Sequence, residues 1–128
     1  MSDALANTSL QTKVCATFSS CRPTAGLLSL ASMIRHVVFF KFKPEAGANK
    51  RMSVLDDLRA LPGKIDVIRS FEVGEDIVHS ARAWDVVEIA TYDDLEALET
   101  YSRHDDHVEV VLKLREICDA VGSVDYEY

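Results

Sequence analysis

The clearest pattern in the chain is a run of β-branched and aromatic residues at 35–43, Arg-His-Val-Val-Phe-Phe-Lys-Phe-Lys, closed by Pro44. That composition predicts a strand. One side carries His36, Val38, Phe40 and Phe42, and the other Arg35, Val37, Phe39 and Lys41. Both sides are apolar in the middle, which predicts a strand covered on both faces. Residues 46–61 read as a helix: Met52, Leu55, Leu58 and Leu61 recur every three positions among polar neighbours, and Pro62-Gly63 stops it. A second strand is expected at about 67–75, then a loop over 76–83. A third follows at 84–92, where Trp84, Val86, Glu88, Ala90 and Tyr92 alternate with Asp85, Val87, Ile89 and Thr91. Asp93 with Glu96 three residues later predicts a capping box. The helix it opens has Leu95, Leu98 and Tyr101 on one side and breaks near 102–103. A longer helix runs to about 120, with His104, His107, Val111, Leu114 and Ile117 or Cys118 on one face, and 123–128 form a last strand.

The order is therefore β-α-β-β-α-β, an α+β arrangement of the ferredoxin-like kind, with an antiparallel sheet and helices on one face. Helices on one face leave Val37 and Phe39 on the other. A second copy packed sheet to sheet would cover them, giving a homodimer built as an α/β barrel.

Composition divides the chain. Residues 1–32 hold ten Ser or Thr, one acidic residue and two basic ones, with no periodicity. This segment reads as a disordered extension or as sequence upstream of a true start at Met33. A transit peptide fits the Ser/Thr content but has few basic residues here, and a secretory signal lacks its charged opening. Residues 33–128 form one domain with a formal charge of −8, against −7 for the whole chain. Such acidity argues against nucleic acid and anionic membranes as partners. No apolar run is long enough to span a bilayer. Three cysteines without a Cys-x-x-Cys pattern give neither a disulfide framework nor a zinc site, and the expected compartment is the reducing cytoplasm.

Four segments, in order, carry a family signal. Met33-Ile34-Arg35-His36-Val37-Val38-Phe39-Phe40-Lys41-Phe42-Lys43 resembles the opening of the stress-responsive dimeric α/β-barrel (Dabb) family. Ile68-Arg69-Ser70-Phe71-Glu72-Val73-Gly74 resembles its second strand, and Val124-Asp125-Tyr126 its closing strand. Tyr101-Ser102-Arg103-His104-Asp105-Asp106-His107-Val108 resembles its Tyr-x-x-His-Pro-x-His-Val segment, with Asp105 in place of the proline. The resemblance spans 33–128 and implies a ferredoxin-like homodimer with a small-molecule pocket between sheet and helices. It leaves the activity open. Some members close a linear polyketide by aldol chemistry without a cofactor, and others are known as stable stress-induced oligomers. Cofactor-free monooxygenases share the dimeric barrel architecture.

By that resemblance His107 corresponds to a catalytic histidine and Tyr101 to a catalytic tyrosine, with His36 and Asp125 lining the same pocket. Asp85 stands where the cyclising members have another pocket histidine. The chemistry suits these residue types. Aldol closure needs a base to take a proton from carbon and a donor to steady the enolate oxygen. A neutral histidine, titrating at about pH 6.5, suits the first task and a tyrosine hydroxyl the second. Asp125 could orient an imidazole, and His36 could extend the network. His104 reads as a helix cap or brace. His104 and His107 could share an ion, but no third or fourth ligand is evident, so no metal is assigned and no cofactor is called for. The expected function is a homodimer binding a small apolar carbonyl-type molecule, with cofactor-free acid–base catalysis. The alternatives are a non-enzymatic stable oligomer and a cofactor-free monooxygenase.

Overall fold

Nine residues, Ile34–Phe42, form strand β1, and in the computed structural model, which describes residues 32–128, every other element is placed relative to it. Helix α1 spans Ala48–Arg59 and runs into a single 3-10 turn at Leu61–Gly63. Strands β2 (Ser70–Glu75) and β3 (Val86–Tyr92) follow. Then come helices α2 (Leu95–Arg103) and α3 (Asp105–Ile117), and strand β4 (Cys118–Glu127). The four strands make one sheet in the order β2-β3-β1-β4, and all three pairings are antiparallel. The architecture is the α+β, ferredoxin-like one expected from the pattern. The segment 1–31, and with it the expectation for an N-terminal extension, lies outside the described residues.

β1 alternates as predicted. Ile34, Val38, Phe40 and Phe42 are buried under the helices, while Arg35, Val37, Phe39 and Lys41 face the other way and are half-buried. The core lies between sheet and helices and includes Val54, Leu55 and Leu58 of α1 with Val110, Leu114 and Ile117 of α3. The pattern misassigned one face. Met52 is 60% exposed, and Val54 takes the core position instead. A strict three-residue repeat drifts by about 60° per step around a helix of 3.6 residues per turn, so it leaves the buried stripe within two steps.

Several boundaries also moved, β2 beginning at Ser70 and β3 at Val86. The cap of α2 is Asp94, one residue beyond the expected Asp93, and its side chain accepts the Ala97 N–H. Asp93 instead receives two hydrogen bonds from Arg69, at 3.0 and 2.8 Å. The helix break falls at His104, which is extended. β4 begins at Cys118 and pairs along nearly all of β1, so the sheet claims residues that helical spacing had assigned to α3. Trp84 precedes β3 and packs against Phe39, ring centres 5.9 Å apart, on the side of the sheet away from the helices.

Leu58 is 1% exposed at the centre of the core. Leu58→Ala should therefore cost about 2–5 kcal/mol through lost burial and a residual cavity. Urea denaturation measures this, and a loss below about 1 kcal/mol would contradict the packing described.

Candidate functional site

Strand register brings the polar residues together. In β1–β4 pairing His36 stands opposite Asp125, and in β1–β3 pairing Val38 stands opposite Glu88. Paired residues share a face of the sheet, so His36, Glu88 and Asp125 all face the helices. Nδ1 of His36 bonds the Asp125 carboxylate, and its Nε2 lies 3.9 Å from Oε2 of Glu88. The same Glu88 oxygen accepts the Tyr101 hydroxyl at 3.0 Å. The Tyr101 ring packs on His107, centres 4.2 Å apart, and Nδ1 of His107 donates to the Ser102 carbonyl at 3.1 Å. Asp125, at 41% side-chain exposure, touches solvent, whereas Glu88 is 3% exposed as a residue.

This cluster forms the polar end of a cavity of about 210 Å³. His36, Glu88 and His107 line it together with apolar walls from Val38 and Phe40 of β1, Leu58 of α1, and Val110, Val111 and Leu114 of α3. Val121 of β4 and Arg115 of α3 complete the lining. The volume equals that of about seven waters, enough for one substituted ring or a short chain.

Glu88 is the cavity-lining residue that pattern reading passed over. Burial pushes its carboxyl above the ordinary range, an effect the nearby His36 and the Tyr101 bond reduce. A signal did exist: a glutamate in the core-facing phase of β3, between Val86 and Ala90. His107 is shifted the other way, held below the usual histidine value chiefly by burial. Its bond to a carbonyl requires the proton on Nδ1, which leaves the lone pair of the neutral ring on Nε2.

The remaining expected residues are placed as follows. Tyr101 joins the cluster but is fully buried, with its hydroxyl committed to Glu88, and it does not line the cavity. Tyr101 is hydrogen-bonded to Glu88 and packed on His107. Asp85 lies apart from the cluster. It sits just before β3, and its carboxylate accepts the Phe42 N–H at 2.7 Å, which holds it beside the backbone at the end of β1 rather than in the cavity. His104 caps α3, its Nδ1 accepting the Asp106 N–H. Cys118 is buried, which pushes its thiol up to about 11, so it is no nucleophile near neutral pH.

The family model described as the stress-responsive A/B barrel domain, Dabb, matches residues 34–128. The chain belongs to the Dabb family. Among relatives of this Dabb chain, a stress-response A/B barrel domain-containing protein of Arabidopsis thaliana is 33% identical over 97 residues, 75% of this chain. That stretch is 37% of the Arabidopsis protein's own length. A dimeric ferredoxin-like protein of unknown function from Bacteroides fragilis is 30% identical, with a TM-score of 0.65 over 75% of this chain and 96% of that one. The hydroxynitrile lyase of Passiflora edulis aligns with a TM-score of 0.70 over 77% of this chain and 94% of that one. Its identity is 14%, so that likeness is one of fold. Among the described residues no helix is long and apolar enough to cross a membrane.

The two shifted groups give opposite pH dependences. His107 is lowered from an ordinary value of 6.5, so the folded state binds fewer protons than the unfolded one. Its contribution to stability is present above that value and is lost as pH falls through the lowered one. Glu88 is raised from 4.5, so its contribution is present below that value and is lost as pH rises through the raised one. Urea denaturation across pH should show His107→Gln flattening the acid-side fall and Glu88→Gln removing the loss at higher pH. Unchanged slopes in both variants would contradict the burial of these groups.

Proposed function

We propose that this Dabb domain is a homodimer that binds a small, largely apolar carbonyl compound in the cavity and acts on it by acid–base catalysis without a cofactor. One observation carries the reading: an apolar cavity ends in a neutral histidine, His107, whose proton is fixed on Nδ1 by a carbonyl. Nε2 is thereby left as a base in a desolvated setting.

The chemistry that suits it is making or breaking a carbon–carbon bond beside an oxygen-bearing carbon. In the forward aldol sense, His107 takes a proton from carbon between two carbonyls. The resulting enolate carbon bonds to a second carbonyl carbon, whose oxygen becomes an alkoxide and takes up a proton. In the cyanohydrin-cleaving sense suggested by the Passiflora fold neighbour, the base takes the hydroxyl proton, the bond to cyanide breaks and a carbonyl forms. Both reactions need one base; aldol closure also needs a donor for charge on oxygen, and cyanohydrin cleavage a donor for the departing cyanide.

The homodimer reading rests on the second face of the sheet. Val37, Phe39, Val87 and Ile89 are half-buried there, and Val124 and Tyr126 are exposed at 55% and 44%. No described element covers this face. The Bacteroides neighbour is described as dimeric, and sheet-to-sheet packing of two copies would bury these side chains.

Purified protein should turn over a 1,3-dicarbonyl chain or an aromatic cyanohydrin, and His107→Ala should lose roughly 100-fold or more of that rate while remaining dimeric. Full activity in the variant would exclude His107 as the base. Absence of turnover in the wild type, together with high thermal stability, would favour the non-enzymatic oligomer. Val37→Glu should separately shift the protein from dimer to monomer by light scattering, because it places a charge in the apolar face. An unchanged mass would overturn the sheet-to-sheet interface.

A further inference from the structure

Glu88 is a carboxyl group in an apolar layer, and the base mechanism above gives it no task. It lines the cavity beside His107, with its Oε2 occupied by the Tyr101 hydroxyl at 3.0 Å. The groups that face it come from every element around it. His36 of β1, Tyr92 of β3, Tyr101 of α2, His107 of α3 and Asp125 of β4 are the titratable ones, and Arg115 of α3 also lines the cavity. Only His36, His107 and Arg115 can bring positive charge. Arg115 is exposed, and the described residues include no ion pair for it. Glu88 is thus held by a hydroxyl and a shared histidine rather than by a permanent cation. That setting favours the neutral acid.

Because Oε2 accepts the tyrosine proton, a neutral Glu88 carries its own proton on Oε1. A proton on the free oxygen of a cavity-lining acid is available to a bound molecule. The proton can also be replaced. His36 is 14% exposed, is bonded to the half-exposed Asp125 on one nitrogen, and has its other nitrogen 3.9 Å from Glu88. Asp125, at the surface, holds the His36 ring by its Nδ1. The line from solvent to cavity is Asp125, His36, Glu88.

We propose that Glu88 is the acid of this site, delivering its proton to the oxygen that becomes negative in the reaction, and that His36, supported by Asp125, restores it from solvent. This deepens the carbonyl-chemistry reading and rests on it. The protons balance. The Oε1–H bond of Glu88 breaks as the substrate O–H bond forms. The carboxylate then takes a proton from the imidazolium of His36, which water reprotonates. The proton collected by His107 leaves to solvent, so one proton enters and one departs per turnover.

The first test needs no substrate. In the full chain with carboxyl-¹³C glutamate, Glu88, assigned through Glu88→Gln, should stay protonated at pH values where the surface glutamates are ionised. His36→Gln should raise its titration further, because the nearby imidazole favours the carboxylate. Titration of Glu88 together with the surface glutamates overturns the inference even where turnover is intact, and leaves His107 as base untouched. The second test uses the 1,3-dicarbonyl probe, whose closure forms an alkoxide that must take up a proton. Glu88→Gln keeps the hydrogen-bonding shape but has no proton to give, and should lose about 100-fold or more in kcat. Glu88→Asp should retain part of the rate. Wild-type kcat in Glu88→Gln overturns the acid assignment. Absence of turnover in the wild type overturns the carbonyl reading and the acid role with it.

Discussion

The register of β1 is the constraint on which the rest of the structure depends. Like β3 it has a partner on each side and faces the helices, and its period of two sorts every side chain between two environments. A slip of one residue would send Val38, Phe40 and His36 to the outer face and bring Arg35, Val37 and Phe39 under the helices. The core would lose its central aromatic, and the His36–Asp125 contact would be broken. Pairing of β4 along nearly the whole of β1 fixes that register and places Asp125 beside the imidazole.

A polar cluster inside this layer has an energetic cost. Burying a carboxyl group disfavours its charged form, and an unpaired buried polar group is destabilising. The fold meets that cost only in part. Tyr101 and His36 serve Glu88, while the buried Tyr92 hydroxyl has no hydrogen-bond partner among the described residues. A stability-driven sequence would place an apolar side chain at 88, as it does at 86 and 90 on the same face. Tolerance of a costly polar site inside an otherwise apolar core is a common mark of function.

Much of the fold was legible because each element carries its own period. The alternation of β1 and β3, the Pro-Gly stop after α1 and the extended residue between α2 and α3 are local signals. The misread positions were those decided by competition between elements. Met52 matched a three-residue repeat but fell outside the helical stripe that α1 turns to the sheet. Cys118 to Gly122 had helical or indeterminate character and were claimed by hydrogen bonding to β1. Asp85 kept the right place in the chain order but the wrong surroundings, since its carboxylate found a free backbone N–H nearby.

By itself, then, the sequence determined the order of elements, the two-faced character of the sheet and the residue types of the site: His36, Tyr101, His107 and Asp125. Local periodicity is enough for the first two, and the resemblance to the Dabb family supplied the third. Only the tertiary structure decided what each of them touches. It closed the Tyr101 hydroxyl onto Glu88, tied one nitrogen of His107 to the Ser102 carbonyl, and removed Asp85 from the cavity. It also brought in Glu88, a residue whose importance lies in being buried. The physical reason is that proton affinity and hydrogen-bond commitment depend on what surrounds a group. Those surroundings are assembled from strands and helices far apart in the chain.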